Sequence, residues 1–406
     1  MRLSHLSRSF QFSRLSVCSM LHNIIRICIS FIQMGRFVFS ADKYDIIFYY
    51  PQHFNRSTTG TNLFLDPFVR SCKNNNVKYL LIEEPDYRTH APVGKGVLHF
   101  DCMLYLVLIL RKVIRMKGSV ETREQKIGQI INSLTFSRLK CGVYITLSGS
   151  MGGMLRGISP EGDIYDYQHG IINSSQPGYF CDKGATPEMK ENHKNVLVYG
   201  KAFEKIFYNN DEYYRGRVIS LGHFSGADCP LVRGGKMILI APQITVSMTM
   251  EKNLEQLQVV KDWLTNNSSV INKYGIKVKL KHHPRYNNCI DDSVLYEFPF
   301  VENVNGQWDL LTHAQDIALH VTFYSTTVFD FACYGVPSVI LVSEKMPEGR
   351  EIYGQDFEYP FYSRNTLNDW EFLWDGSQCR HVSAKVRDWY DRFYEPFNED
   401  KFLALL

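Results

Sequence analysis

The strongest constraint on this chain is a pattern that runs twice, in which short apolar runs of β-forming residues alternate with stretches of helical period. The first pass opens at Tyr44–Tyr50 (YDIIFYY), which reads as a buried strand stopped by Pro51. It continues with a helix at Leu63–Lys73, a strand at Val77–Ile82, helices at Phe100–Lys117 and Arg123–Leu139, and strands at Gly142–Leu147 and Asp163–Tyr167. After the turn-rich Gly222–Gly235 the pattern restarts with a strand at Lys236–Ala241 (KMILIA), a helix at Met250–Asn266 and a strand at Ile276–Lys281. A short helix at Trp308–His313, a strand at Ile317–Val321, a helix at Ser325–Tyr334 closed by Gly335, and a strand at Val336–Val342 complete it. Such alternation predicts mostly parallel sheets covered by helices, the α/β class. The organisation predicted is two Rossmann-like α/β domains facing a cleft, over 41–225 and 230–385. A basic extension over 1–40 precedes them and a C-terminal helix over 386–406 follows.

In open α/β sheets, ligands sit beyond the carboxyl ends of the strands, so the loops after strands are the places to look for chemistry. Three of them stand out. His283-Pro284 follows the strand at 276–281 with Lys279, Lys281, His282 and Arg285 around it. The proline forces His283 out of helical conformation, and the cluster suits an anion such as a phosphate, though it also reads as an exposed basic turn. Tyr324-Ser325-Thr326-Thr327 lies between a strand and a helix. Hydroxyls there are helix caps first, and the same geometry offers N–H and O–H groups to a phosphate. Asp330, one turn on, is placed for a ribose hydroxyl or for solvent. The third loop is Tyr167-Gln168-His169-Gly170, where a histidine near its ordinary pKa suits proton abstraction from a hydroxyl, with Asp163 or Asp166 to orient it. Glu83-Glu84-Pro85 reads as a carboxylate pair or a polar strand end. Thr58–Asn62 lacks the glycine spacing and lysine of a phosphate loop.

Charge narrows the partners. Lys and Arg number 45 against 42 Asp and Glu in 406 residues. Five of the arginines (2, 8, 14, 26 and 36) fall within residues 1–40, which hold no acid, so the remaining 366 residues carry 40 basic against 42 acidic groups. A near-neutral body argues against a nucleic-acid binder. The ten cysteines are scattered without a C-x-x-C and several lie in apolar runs, which reads as free thiols in a reducing, cytoplasmic setting. Cys102–Leu110 is too short to span a bilayer and ends in Arg111, Lys112, Arg115 and Lys117. It reads as a buried helix or as one resting on a membrane surface. Val17–Met34 is interrupted by His22 and Arg26, a poor span and a poor signal peptide, and residues 1–33 also read as an over-extended reading frame ahead of Met34.

The order of these loops is more specific than any one of them. Gln-His-Gly, then Lys-His-His-Pro, then strand–Tyr-Ser-Thr-Thr–helix–Gly-Val-Pro resembles the GT-B-type glycosyltransferases of bacterial capsule and lipopolysaccharide. It is also similar to the CDP-glycerol glycerophosphotransferases of teichoic-acid synthesis, and bacterial sialyltransferases share the His-Pro and Ser-Ser pair. The likeness covers roughly residues 44–345. It implies an acceptor-side first domain and a nucleotide-donor second domain. By position, it makes His169 the general base with Asp166 beside it, and puts His283 on the donor phosphate. Lys281, Arg285, Ser325, Thr326, Thr327 and Asp330 are the remaining donor-binding residues it implies. The chain departs from the pattern in having Ser-Thr-Thr for Ser-Ser. Its Pro160-Glu161-Gly162-Asp163 is only a partial echo of the sialyltransferase acid/base motif, which favours His169 over a carboxylate.

The expectation is therefore an inverting transfer from a nucleotide-activated sugar to an oligosaccharide or lipid-linked acceptor, without nucleic acid. Lacking Asp-x-Asp, the chain is expected to need no metal or other cofactor. A cytoplasmic location with peripheral contact to anionic membrane goes with it. A CDP-polyol phosphotransferase, a UDP-sugar 2-epimerase and an inactive polysaccharide-binding subunit are the alternatives.

Overall fold

The structure is a computed structural model that describes residues 17–55, 61–87, 92–114, 118–149, 151–182, 184–224, 230–231, 235–283, 285–304, 313–375 and 379–406. Two compact units are present. The first gathers Met1–His169, Pro187–Asn195 and Glu399–Leu406, and the second Gly170–Thr186 and Val196–Asn398. The chain thus changes unit at 169/170, 186/187, 195/196 and 398/399, rather than once between 225 and 230.

In the first unit, β1 (Ile46–Pro51), β2 (Tyr79–Glu84), β3 (Leu98–His99), β4 (Val143–Leu147) and β5 (Asp163–Tyr167) lie in the order β3-β2-β1-β4-β5. Every neighbouring pair is parallel. Strand β1 is buried at all six positions, as a central strand covered on both faces must be, and its unbroken apolar run is the sequence form of that burial. The helices are α1 (Val17–Phe39), α2 (Asp66–Asn74), α3 (Asp101–Val113), α4 (Val120–Leu134), α5 (Gly152–Ile158) and α6 (Pro187–Glu191). Ser119 caps α4 by accepting the Thr122 N–H. Helix α1 is fastened into this unit. Arg26 is buried, with Nε donating to Asp101 Oδ1 at 3.0 Å and Nη1 to Gln52 Oε1 at 2.5 Å. Ser30 Oγ donates to the His99 carbonyl at 2.6 Å. Arg26, one of the five arginines within residues 1–40, is therefore a core ion-pair partner.

The second unit holds a small hairpin, β6 (Phe180–Cys181) and β7 (Gly184–Ala185), and a parallel pair, β8 (Asn195–Val198) and β9 (Val218–Ser220), joined through α7 (Lys201–Asn210). Its main sheet is parallel throughout and ordered β12-β11-β10-β13-β14. These strands are β10 (Met237–Ile240), β11 (Lys277–Leu280), β12 (Val301–Asn303), β13 (Ile317–Thr322) and β14 (Ser338–Ile340), accompanied by α8 (Met250–Tyr274), α9 (Thr327–Ala332), α10 (Phe372–Asp375) and α11 (Cys379–Phe393). The expected helix at 308–313 lies outside the described residues but for His313. Helix α12 (Glu399–Leu403) belongs to the first unit again, where Phe402 meets Phe68 edge-to-face at 5.1 Å.

Both units thus carry the doubly wound 3-2-1-4-5 order, with the winding reversing between the first and fourth strands of each sheet. Two Rossmann-like folds are present, as the alternation predicted. Among the described residues seven cysteines are free thiols, whereas Cys333 is disulfide-bonded, which corrects the all-thiol reading for that residue. Among the described residues, no helix is long and apolar enough to cross a membrane.

Candidate functional site

In the second unit the strand-end loops after β10, β11 and β13 are bonded into one rim. The loop after β10 is held from below by α8, whose Gln256 Oε1 accepts the Gln243 N–H at 2.8 Å, while Asn253 Oδ1 accepts the Thr245 N–H at 3.0 Å. Both amides are fully buried. Gln243 Oε1 then accepts the Tyr324 N–H at 3.0 Å, tying in the loop after β13. On the other side the Val246 N–H donates to the Arg285 carbonyl at 3.1 Å, and Thr245 forms an isolated β-bridge with Tyr286, tying in the loop after β11. The histidine loop and the hydroxyl loop are thereby fixed to opposite sides of the same central strand end, at the point where the winding reverses.

His283 is half-buried, and its Nδ1 accepts the Arg285 N–H at 3.0 Å. In the neutral ring this leaves the proton on Nε2, so the side chain is a donor toward a ligand. Desolvation, and then the Arg285 charge, hold its pKa below the ordinary histidine value. Lys281 is half-buried and Arg285 exposed beside it, while Pro284 lies outside the described residues. His282 is drawn the other way: its Nε2 lies 3.1 Å from Asp292 Oδ2 and 3.2 Å from the Tyr296 hydroxyl. Burial lowers its pKa against the pull of Asp292.

Ser325 Oγ accepts from Thr327 Oγ1 at 2.9 Å and from the Thr327 N–H at 3.3 Å, and the Ser325 carbonyl accepts the Tyr353 hydroxyl at 2.5 Å. The bond from the Thr327 N–H to Ser325 Oγ is of the capping kind, and α9 begins at Thr327 rather than Ser325. Thr326 is exposed and caps nothing with its side chain. At six residues, α9 is too short for its dipole to weigh much, so any anion held here rests on hydroxyls and cations. Asp330 has a solvent-exposed side, yet the protein crowding its carboxyl pushes its pKa up to about 6. Its charge is felt by the hydroxyls of Tyr353, Tyr390 and Tyr394.

In the first unit His169 follows β5, half-buried, its ring edge-on to Phe54 at 5.3 Å. Asp166 is buried on β5. Its Oδ1 accepts Thr146 Oγ1 at 3.2 Å, and its charge is answered by Lys194, 2 % exposed, whose Nζ donates to Glu188 at 3.0 Å. Burial alone would lower the Lys194 pKa; the Asp166 and Glu188 carboxylates outweigh it and hold it above the ordinary lysine value. Beyond the ends of β1, β2 and β4 opens a pocket of about 500 Å³, lined among others by His53, Glu84, Asp86, Tyr105, Leu108 and Arg111. His53 Nδ1 lies 2.9 Å from Asp86 Oδ2, a histidine–carboxylate pair of the kind that accepts protons. Glu83 and Glu84 part to opposite faces of β2. Glu83 is fully buried and accepts from Asn55 Nδ2 at 2.6 Å, whereas Glu84 accepts the Tyr49 hydroxyl at 2.7 Å and lines the pocket.

Sequence reasoning missed the two amides of α8 and the His53–Asp86 pair. For the former a signal existed: Asn253 and Gln256 sit three apart on a face continued by Val260, Trp263 and Leu264, and amides on a buried face must bond something. For His53 there was none, since Asp86 is 33 residues away. Among the described residues no group of three or more His, Cys, Asp or Glu is placed to share a metal ion.

No family model matches the chain, and no curated protein matches it. Solved structures do. The wall teichoic acid polymerase TagF aligns over 96% of this chain and 95% of its own at 13% identity, with a TM-score of 0.46. The UDP-GlcNAc 2-epimerase from Methanocaldococcus jannaschii covers 89% of this chain and 98% of its own at 11% identity, with a TM-score of 0.48. S. aureus MnaA, in its co-structure with UDP, gives the same coverage and identity at 0.45. Likenesses this remote carry no argument about what the chain does.

Proposed function

We propose that the chain is a GT-B-type glycosyltransferase that moves a sugar from a nucleotide-activated donor to a capsule or lipopolysaccharide acceptor, with inversion and without a metal. The observation that carries this is the bonded rim of the second unit, where the end of β10 holds the His283 loop on one side and the Ser325 loop on the other. Donors from His283 Nε2 and the Ser325 and Thr326 hydroxyls, with the charges of Lys281 and Arg285, make a cradle for a diphosphate at the reversal of the winding. Asp330 is left for a ribose hydroxyl. The acceptor, an oligosaccharide or a lipid-linked one, is taken by the first unit, and His169 removes its hydroxyl proton.

Work near a lipid-linked acceptor on the cytoplasmic face of the membrane fits α1 and α3. Their exposed side chains include the apolar Phe31, Ile32, Ile109 and Val113 together with the basic Arg36 and Lys112.

Thermal-shift and calorimetric binding of CMP, CDP, UDP and GDP tests the donor site. One of them is expected to stabilise the wild type and to bind Ser325→Ala at least about tenfold more weakly. Failure of all four to bind overturns the reading. His169→Ala is expected to end turnover with donor affinity nearly unchanged. If His53→Ala ends it and His169→Ala does not, the base belongs to the His53–Asp86 pair.

A further inference from the structure

Behind the Ser325 loop runs a line of polar groups sealed from water at its inner end. Ser338 and His320 are both fully buried. His320 Nδ1 meets Ser338 Oγ at 2.9 Å and its Nε2 meets Thr327 Oγ1 at 3.2 Å, while Thr327 Oγ1 donates to Ser325 Oγ at 2.9 Å. The last bond fixes the direction of all the others. A threonine hydroxyl has one proton, and Thr327 has given it to Ser325, so toward His320 it accepts, and Nε2 carries the ring proton. A neutral imidazole has one N–H, so Nδ1 accepts and Ser338 donates. Charging the ring is disfavoured by its complete burial.

The outer end follows. Ser325 Oγ has two lone pairs, and both are taken, one by the Thr327 hydroxyl and one by the Thr327 N–H at 3.3 Å. Its own proton has no acceptor among the described residues. We infer that His320, acting through Thr327, makes the Ser325 hydroxyl a donor only, so that this position selects a ligand presenting an acceptor oxygen, such as a phosphate, over one presenting a hydroxyl or amine donor. His320 and Thr327 are positioning residues in this account. It rests on the donor-site reading above and adds the origin of its preference for phosphate.

A double-mutant cycle tests it, using calorimetry with the nucleotide that binds best and with its parent nucleoside. Thr327→Val keeps the shape and removes the relay, and is expected to weaken the nucleotide about tenfold while leaving the nucleoside unaffected. Thr327→Ser restores the hydroxyl and is expected to restore affinity. Thr327→Val added to Ser325→Ala is expected to cost nothing further, because both act on one bond. Additive losses, equal losses for the nucleoside, or a Thr327→Ser variant as weak as Thr327→Val overturn the relay. Wild-type affinity in Thr327→Val alongside a loss in Ser325→Ala overturns it and leaves the donor site standing. Wild-type affinity in Ser325→Ala overturns both. Ser338→Ala, at the far end, is expected to give a smaller loss of the same phosphate-dependent kind.

Discussion

His320 is held neutral through the range where a histidine ordinarily takes up its proton, and the pH dependence of stability follows from that. Burial depresses its pKa to about 3, so in the folded chain it stays neutral at pH values where the unfolded chain takes up a proton near 6.5. A depressed histidine contributes stability that is whole above about pH 6.5 and lost as pH falls toward 3, at up to about 1.4 kcal/mol per pH unit. Urea unfolding between pH 7 and 4.5 is expected to show a steeper loss for the wild type than for His320→Gln, by close to one proton. Equal slopes would mean that the ring is charged in the fold. Ser325, Thr326 and His283 could be picked out in the sequence because they stand beside turn and strand signals. His320 could not. It sits inside the apolar run Ile317–Val321, and only register against Ser338 across the sheet gives it a task.

At the scale of elements, the two helices α4 and α5 cross with backbone against backbone. A Cβ at Gly157 would stand 1.9 Å from the Gln125 carbonyl oxygen, and one at Gly128 2.0 Å from that of Met154. Two effects of Gly157→Ala oppose each other. Alanine is the better helix former by about 1 kcal/mol, while prising the helices apart costs about 3 kcal/mol or more. The clash wins, and differential scanning calorimetry is expected to show the first unit melting roughly 5–10 °C lower; an unchanged or raised transition would mean that α5 is free to shift. The most legible strand was β1, because a central parallel strand covered on both faces is apolar throughout; Asp163–Tyr167 and the start of α8 at Met250 also fall where the pattern put them. Helix α5 was not legible. Its sequence, Gly-Gly-Met-Leu-Arg-Gly-Ile, is poor in helix formers and exists as a helix because its glycines fit against α4. Nor did α1 announce itself, since the ion pair that fastens it joins Arg26 to Asp101, 75 residues apart.

At the scale of the whole molecule, the outer faces of α1 and α3 stand out. Phe31 and Val113 are 73% and 70% exposed, and basic residues occupy the last turn of each helix. Co-sedimentation with phosphatidylglycerol vesicles is expected for the wild type and lost in Phe31→Glu/Ile32→Glu, with weaker capture by neutral phosphatidylcholine. Undiminished capture of the double variant would remove these helices from the membrane reading. The path of the chain has a different consequence. Strand β1 and its neighbours are made early, yet Phe68, which meets Tyr167 edge-to-face at 4.9 Å, also takes an edge-to-face partner from the far end of the chain, Phe402. A nascent chain leaving the ribosome therefore carries the first unit with an open aromatic seam while more than two hundred further residues are translated. Until Glu399–Leu403 emerges to close it, that seam is the surface a chaperone would be expected to hold.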